Sequence, residues 1–153
     1  MIQQIKRDKF FSIIKPLFVK FSQGQVDGIN FLLDSFFIGN NVHLFDFRQL
    51  AYIMATVFHE TAATMQPIGE FGKGKLRKYG TPSKNGEVYY GRGYVQLTWE
   101  ENYIKAGEEL GIDLVNNPNM ALTPYIAFKI MIIGMMDGWF TGKKLSDYFN
   151  EKT

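Results

Sequence analysis

The chain has 153 residues, 46% hydrophobic and 21% charged, the make-up of a folded soluble protein with enough length for one domain and a sizeable core. Its net charge of +2 is too small to point to nucleic acid, although a mild basic excess suits approach to an anionic polymer. The absence of cysteine excludes a disulfide framework and a thiolate zinc site, and it suits synthesis in a reducing cytosol.

At the N-terminus, Lys6, Arg7 and Lys9 precede Phe10-Phe11-Ser12-Ile13-Ile14, a superficial likeness to an export signal. Lys15, Pro16 and Lys20 interrupt the apolar run, and no small-residue cleavage site follows. No apolar stretch approaches the roughly 20 residues of a spanning helix. The expectation is a soluble chain without its own export signal. Residues 2–15 read as an amphipathic helix. Residues 25–37 read as a second, with Val26, Ile29, Leu33 and Phe36 on one stripe and Gly39-Asn40-Asn41 ending it. A third helix over 47–63 runs through Leu50, Ile53, Met54, Val57 and Phe58 and carries His59 and Glu60 near its C-terminal end.

From 66 to 93 the chain becomes rich in glycine and lysine, periodicity fails, and loops or short strands are expected. Helices resume at 100–110, closed by Gly111 as a C-cap. A further helix opens at Thr123-Pro124 and runs through Met136. It is apolar on most sides, so it is expected to be central, with residues 131–136 simply packing the core. No repeat or interdomain linker is visible. The reading is a single mainly α domain over 1–153 with two lobes, its loop-rich middle inserted between two helical groups.

Glu60 lies three residues after Val57 and seven after Ile53, so it continues the apolar stripe. Partial desolvation is therefore expected, the condition under which a carboxylic acid holds its proton near neutral pH. The alternative, favoured on helix position alone, is a helix-end glutamate turned to water. Glu70, in Pro67-Ile68-Gly69-Glu70-Phe71-Gly72, sits on a flexible loop where a solvated carboxylate stays ionised. Inverting glycosidases need that asymmetry, an acid and an ionised base about 6.5 to 9.5 Å apart. The alternative is a loop glutamate balancing Lys73, Lys75, Arg77 and Lys78, a charge run that is ordinarily solvated.

Residues 89–98 are read as an extended strand, with Tyr90, Arg92, Tyr94, Gln96 and Thr98 on one face and Val95, Leu97 and Trp99 on the other. Aromatic rings, an amide and glycines in one run suit a glycan cleft. The competing reading is a half-buried edge strand. The segment is not a dinucleotide fingerprint, because Gln96 replaces the third glycine. Ala63 stands where a zincin helix needs a second histidine, only His43 and His59 are available to a metal, and no Gly-x-Ser-x-Gly occurs.

Phe21-Ser22-Gln23-Gly24-Gln25-Val26-Asp27-Gly28-Ile29-Asn30, His59-Glu60-Thr61, Tyr89-Tyr90-Gly91-Arg92-Gly93 with Gln96-Leu97-Thr98, and Asn102-Tyr103 resemble the family 19 glycoside hydrolases, chitinases and related endolysins of bacterial viruses. The similarity runs in order from about residue 17 to the C-terminus. It implies a lysozyme-like, mainly helical fold with a small loop and strand region lining a glycan cleft. It also implies single-displacement hydrolysis with inversion, and no metal or organic cofactor. Carried over by position, Glu60 would be the general acid, Glu70 the general base and Thr98 the hydroxyl that helps hold the water. Tyr90, Gln96 and Asn102 would contact sugar, with His59 and Arg92 counted among the contacts.

Ala62 and Ala63 depart from the glycines that many members carry after the acid. Members also usually continue past a segment like Leu145-Ser146-Asp147-Tyr148-Phe149, whereas this sequence stops at Thr153, so a C-terminally shortened domain is among the expectations. The short chain and compact loops resemble viral endolysins, so peptidoglycan is preferred to chitin by family analogy. The expected partner is a polysaccharide, with no nucleic acid and no stable membrane association, for a monomer made in the cytoplasm that reaches the wall after release. The rivals are a noncatalytic glycan-binding remnant and, less strongly, a nucleic-acid binder using the basic loop, which would show steep salt dependence.

Overall fold

A computed structural model describes residues 5–37 and 46–153, arranged in two compact units, Met1–Met65 and Gln66–Thr153. The helix end expected at Gly39-Asn40-Asn41 and the histidine at 43 lie outside the described residues.

The first unit contains α1 (Arg7–Ile14), α2 (Gln23–Phe37) and α3 (Phe47–Glu60). Helix α1 stops at Ile14 and passes into a tight helical turn over Lys15–Leu17, where Pro16 cannot supply an amide hydrogen. It buries none of its residues fully, and the Arg7 guanidinium ties it to Asn30 and Asp34 of α2. Phe18 then packs on Phe21 at 4.9 Å and edge-on to Phe58 of α3 at 5.1 Å. Helix α2 buries Gly28, Ile29, Leu32, Leu33 and Phe36; of the expected stripe Ile29, Leu33 and Phe36 are buried and Val26 is half-buried.

Asp46 caps α3, its carboxylate accepting from the amides of Arg48 and Gln49. The buried stripe of α3 runs Leu50, Ile53, Val57 and then Thr61 just past its end. The last step is four residues, not three. Glu60 is therefore exposed, as the helix-end alternative had it, and it does not continue the apolar stripe. The helix also ends three residues short of position 63, because Ala62, Ala63 and Met65 adopt left-handed φ of 49°, 61° and 58°.

In the second unit, β1 (Ile68–Gly69) pairs antiparallel with β2 (Arg92–Gly93), Ile68 opposite Gly93 and Gly69 opposite Arg92. The strand expected over 89–98 is not formed. The chain turns back after Gly93 (φ +92°) through Gln96 (φ +53°), and Arg92 bridges Leu97. That turn breaks the two-residue alternation, so Arg92, Tyr94 and Leu97 are all buried while Trp99 is 40% exposed.

Helix α4 (Glu100–Leu110) ends at Gly111 in the left-handed conformation, as the glycine predicts. A short turn over Pro118–Leu122 leads to α5 (Pro124–Asp137), followed by α6 (Leu145–Tyr148). Helix α5 buries Ala127, Phe128, Ile130, Met131, Ile132, Gly134 and Met135 and packs against α4, α6, β2 and the 118–122 turn, which makes it the central helix of this unit. Ile130 joins Tyr89, Leu97, Tyr103, Ala106, Leu114 and Ala121 in one apolar cluster. Each buried aliphatic chain there contributes roughly 1.5–3 kcal/mol. No helix among the described residues is long and apolar enough to cross a membrane.

Candidate active site

In the first unit, His59 and Glu60 are both exposed on the last turn of α3. Thr61 fixes that turn. Fully buried, it donates its hydroxyl to the Val57 carbonyl at 2.6 Å and accepts from the Met65 amide at 3.1 Å, so the chain leaves the helix on a set course. The Gln25 amide donates to the Ala63 carbonyl at 2.8 Å and ties the exit turn to α2. Within this unit no described residue pairs with the Glu60 carboxylate.

In the second unit, Glu70 directly follows β1 and is half-buried. Its carboxylate is held on both oxygens: Tyr79 donates its hydroxyl to Oε1 at 2.9 Å, and the Gly91 amide donates to Oε2 at 3.2 Å. The backbone of Glu70 donates in turn to the Gly91 carbonyl at 2.7 Å. A carboxylate gripped by donors is set up to act as an acceptor. The same bond to Glu70, aided by desolvation, raises the Tyr79 hydroxyl above the ordinary phenol range and keeps it a donor at neutral pH. Sequence reasoning assigned Tyr79 no role; its distance in the chain from Glu70 hides a contact that only the intervening loop creates.

The Tyr-Tyr-Gly-Arg-Gly block supports this carboxylate more than it faces outward. Glycine at 91 leaves room for Gln96, since a Cβ there would sit 2.8 Å from the Gln96 side-chain oxygen and displace its amide. Gln96 donates its amide to the carbonyls of Ile68 at 3.0 Å and Gly93 at 3.2 Å, stitching β1 to the turn.

Arg92, read from sequence as a sugar contact, is 3% exposed. Its guanidinium lies 3.6 Å over the Tyr90 ring and donates to Asn119, to the Val88 carbonyl and to the Tyr103 hydroxyl. It therefore braces the half-buried Tyr90 instead of meeting solvent. The Tyr103 hydroxyl, pushed up to about 12 by burial and partly held down by Arg92, donates to the Tyr90 carbonyl at 2.7 Å.

Thr98 and Asn102 are half-buried at the start of α4. Asn102 donates its amide to the Thr98 carbonyl at 2.8 Å, while no described residue is hydrogen-bonded to the Thr98 hydroxyl. Of the eight residues singled out from the sequence, Glu70, Tyr90, Arg92, Gln96, Thr98 and Asn102 thus share the second unit, and His59 and Glu60 share one helical turn of the first. Among the described residues no group of three His, Asp or Glu could hold a metal ion.

A family model described as chitinase class I matches residues 48–144. Chitinase 11 of Oryza sativa subsp. japonica is 43% identical over 89 residues, covering 56% of this chain and 34% of that protein. Inactive chitinase-like protein 1 of Hevea brasiliensis is 48% identical over 52 residues, covering 33% of this chain and 17% of that protein. The crystal structure of chitinase C from Streptomyces griseus superposes with a TM-score of 0.55 at 23% identity over 90% of this chain and 56% of that one. The structural likeness shows the mainly α, lysozyme-like fold expected from the sequence. The chain spans about a third of the length of the first curated relatives that it matches.

Proposed function

The chain belongs to the family 19 glycoside hydrolases of the chitinase class I type, and on that premise we propose that it hydrolyses β-1,4 bonds between N-acetylhexosamine units with inversion at the anomeric carbon. The observation that carries the reading is the Glu70 carboxylate held by Tyr79 and Gly91 beside the family's Tyr-Tyr-Gly-Arg-Gly block.

In the proposed reaction Glu60 gives its proton to the leaving glycosidic oxygen as the bond to the anomeric carbon breaks. A water oxygen bonds to that carbon from the opposite face, and Glu70 takes the water proton. The Thr98 hydroxyl holds the water, and both carboxyl groups reset by exchange with solvent. Glu60 is exposed in the free protein, so the apolar surroundings that a general acid needs would come from bound sugar.

We place peptidoglycan first among the polymers by analogy, because the short segment 61–69 between the two acids resembles the compact loops of viral endolysins. Such a protein would be made in the cytoplasm and reach the wall after release. The names of the relatives favour chitin. A noncatalytic reading is favoured by one observation, the Hevea relative named inactive at 48% identity.

Mass-spectrometric product analysis of sacculi and of chitin oligomers incubated with wild type, Glu60→Gln and Glu70→Gln separates these. Muropeptides released by wild type, with each variant slowed by about 10²–10⁴-fold, is the expected result. Release from chitin alone would assign the other polymer. No product from either substrate, with the protein folded and bound to glycan, would leave the noncatalytic reading.

A further inference from the structure

We propose that the pocket walled by Tyr79 and Trp99 in the second unit is a sugar subsite for one uncharged N-acetylhexosamine ring, a proposal that rests on the glycoside-hydrolase reading and extends it. The cavity measures about 270 Å³, just under the usual range of about 300–1,000 Å³ for ligand pockets, which is room for a single ring. Its walls are the 40%-exposed indole of Trp99 and the half-buried ring of Tyr79, packed edge-to-face with centroids 5.4 Å apart. A flat aromatic face beside hydroxyl and carboxylate groups suits the apolar face and polar rim of a pyranose.

The backbone points the same way. Trp99 sits at φ +72°, ψ 137°, a conformation that a bulky residue rarely adopts. Three hydrogen bonds impose it: the Trp99 amide donates to the Tyr89 carbonyl at 3.0 Å, and the Trp99 carbonyl accepts from the amides of Asn102 at 3.1 Å and Tyr103 at 3.2 Å. The strain keeps the indole out of the apolar cluster that Tyr89 and Tyr103 join and leaves it at the pocket. Strain of this kind, held by surrounding structure, gathers at functional sites.

Charge narrows the ligand. Glu100 and Glu101 line the pocket against the single cation of Lys78, and Glu100 is fixed by the Ser83 hydroxyl at 2.7 Å. An acidic lining disfavours a ring that carries a free carboxylate, such as N-acetylmuramic acid without its stem peptide, and accepts N-acetylglucosamine. Because Tyr79 is both a wall of this pocket and the donor to Glu70, a ring seated there adjoins the hydrogen bond that holds the carboxylate.

The chain has two tryptophans, Trp99 and Trp139, so two indole N–H resonances report separately. Triacetylchitotriose titrated into Glu70→Gln protein should shift the Trp99 resonance saturably and leave Trp139 in place. Trp99→Gly, which removes the ring while suiting the left-handed backbone, should fold as well as wild type and bind at least tenfold more weakly. N-acetylmuramic acid should bind at least tenfold more weakly than N-acetylglucosamine.

An unmoved Trp99 resonance, or binding by Trp99→Gly within twofold of wild type, overturns the subsite even if wild type cleaves its polymer. A responsive Trp99 in a protein that cleaves nothing supports the subsite and sinks the catalytic reading. Equal binding of the two monosaccharides overturns the preference for an uncharged ring.

Discussion

At the scale of single residues, the second unit places polar groups where their burial has consequences. Tyr79 reaches Glu70 by one hydrogen bond, so Tyr79→Phe should lower kcat by about ten- to a hundredfold with a smaller change in KM, measured on a soluble oligomer. The Tyr79 hydroxyl lies above the ordinary phenol value of about 10, so its contribution should persist to that pH and be lost only above it. That alkaline limb should vanish in the phenylalanine variant.

Tyr94 is fully buried, and its hydroxyl has no hydrogen-bond partner among the described residues. Tyr94→Phe should therefore raise stability by about 1 kcal/mol, read as an upward shift of the denaturant midpoint at neutral pH. Arg92 shows the converse case. A cation that looked like a ligand contact in an alternating pattern is buried under Tyr90, with neutral acceptors around it.

At the scale of elements, the exit from α3 decides where Glu60 stands. Ala62 and Ala63 take left-handed φ at the positions where the resemblance expects glycines, which gives that preference a conformational reason. Ala63→Gly should relieve about 0.5–1 kcal/mol of strain beyond the added freedom of the unfolded chain, seen as a higher Tm. The β1–β2 ribbon is only two residues per strand, and Gln96 and Gly91 hold it where a longer ladder would otherwise do so. Helices were legible because their stripes repeat over several turns; the ribbon was not, because two-residue strands carry no period to read.

At the scale of the whole molecule, burial of tyrosine ties stability to alkaline pH. Tyr103 is pushed up to about 12 and Tyr94 is also raised, both chiefly by burial. The unfolded chain ionises these phenols near 10, so it loses protons before the folded protein does. Stability is then full below about pH 10 and falls as pH rises toward 12, by about 1.4 kcal/mol per pH unit for each tyrosine. Denaturant midpoints at pH 8, 10 and 11 should show the fall, and Tyr94→Phe should flatten it.

By itself the sequence determined the longer helices, the Gly111 stop, the central apolar α5 and the blocks that carry family membership, since these depend on local period and on residue identity. Tertiary structure alone decided between the two readings of Glu60, and showed that Arg92 is a brace, that Tyr79 grips Glu70 and that Trp99 faces a pocket. Each of these depends on a left-handed turn or a loop closure, and neither leaves a periodic trace in the order of residues.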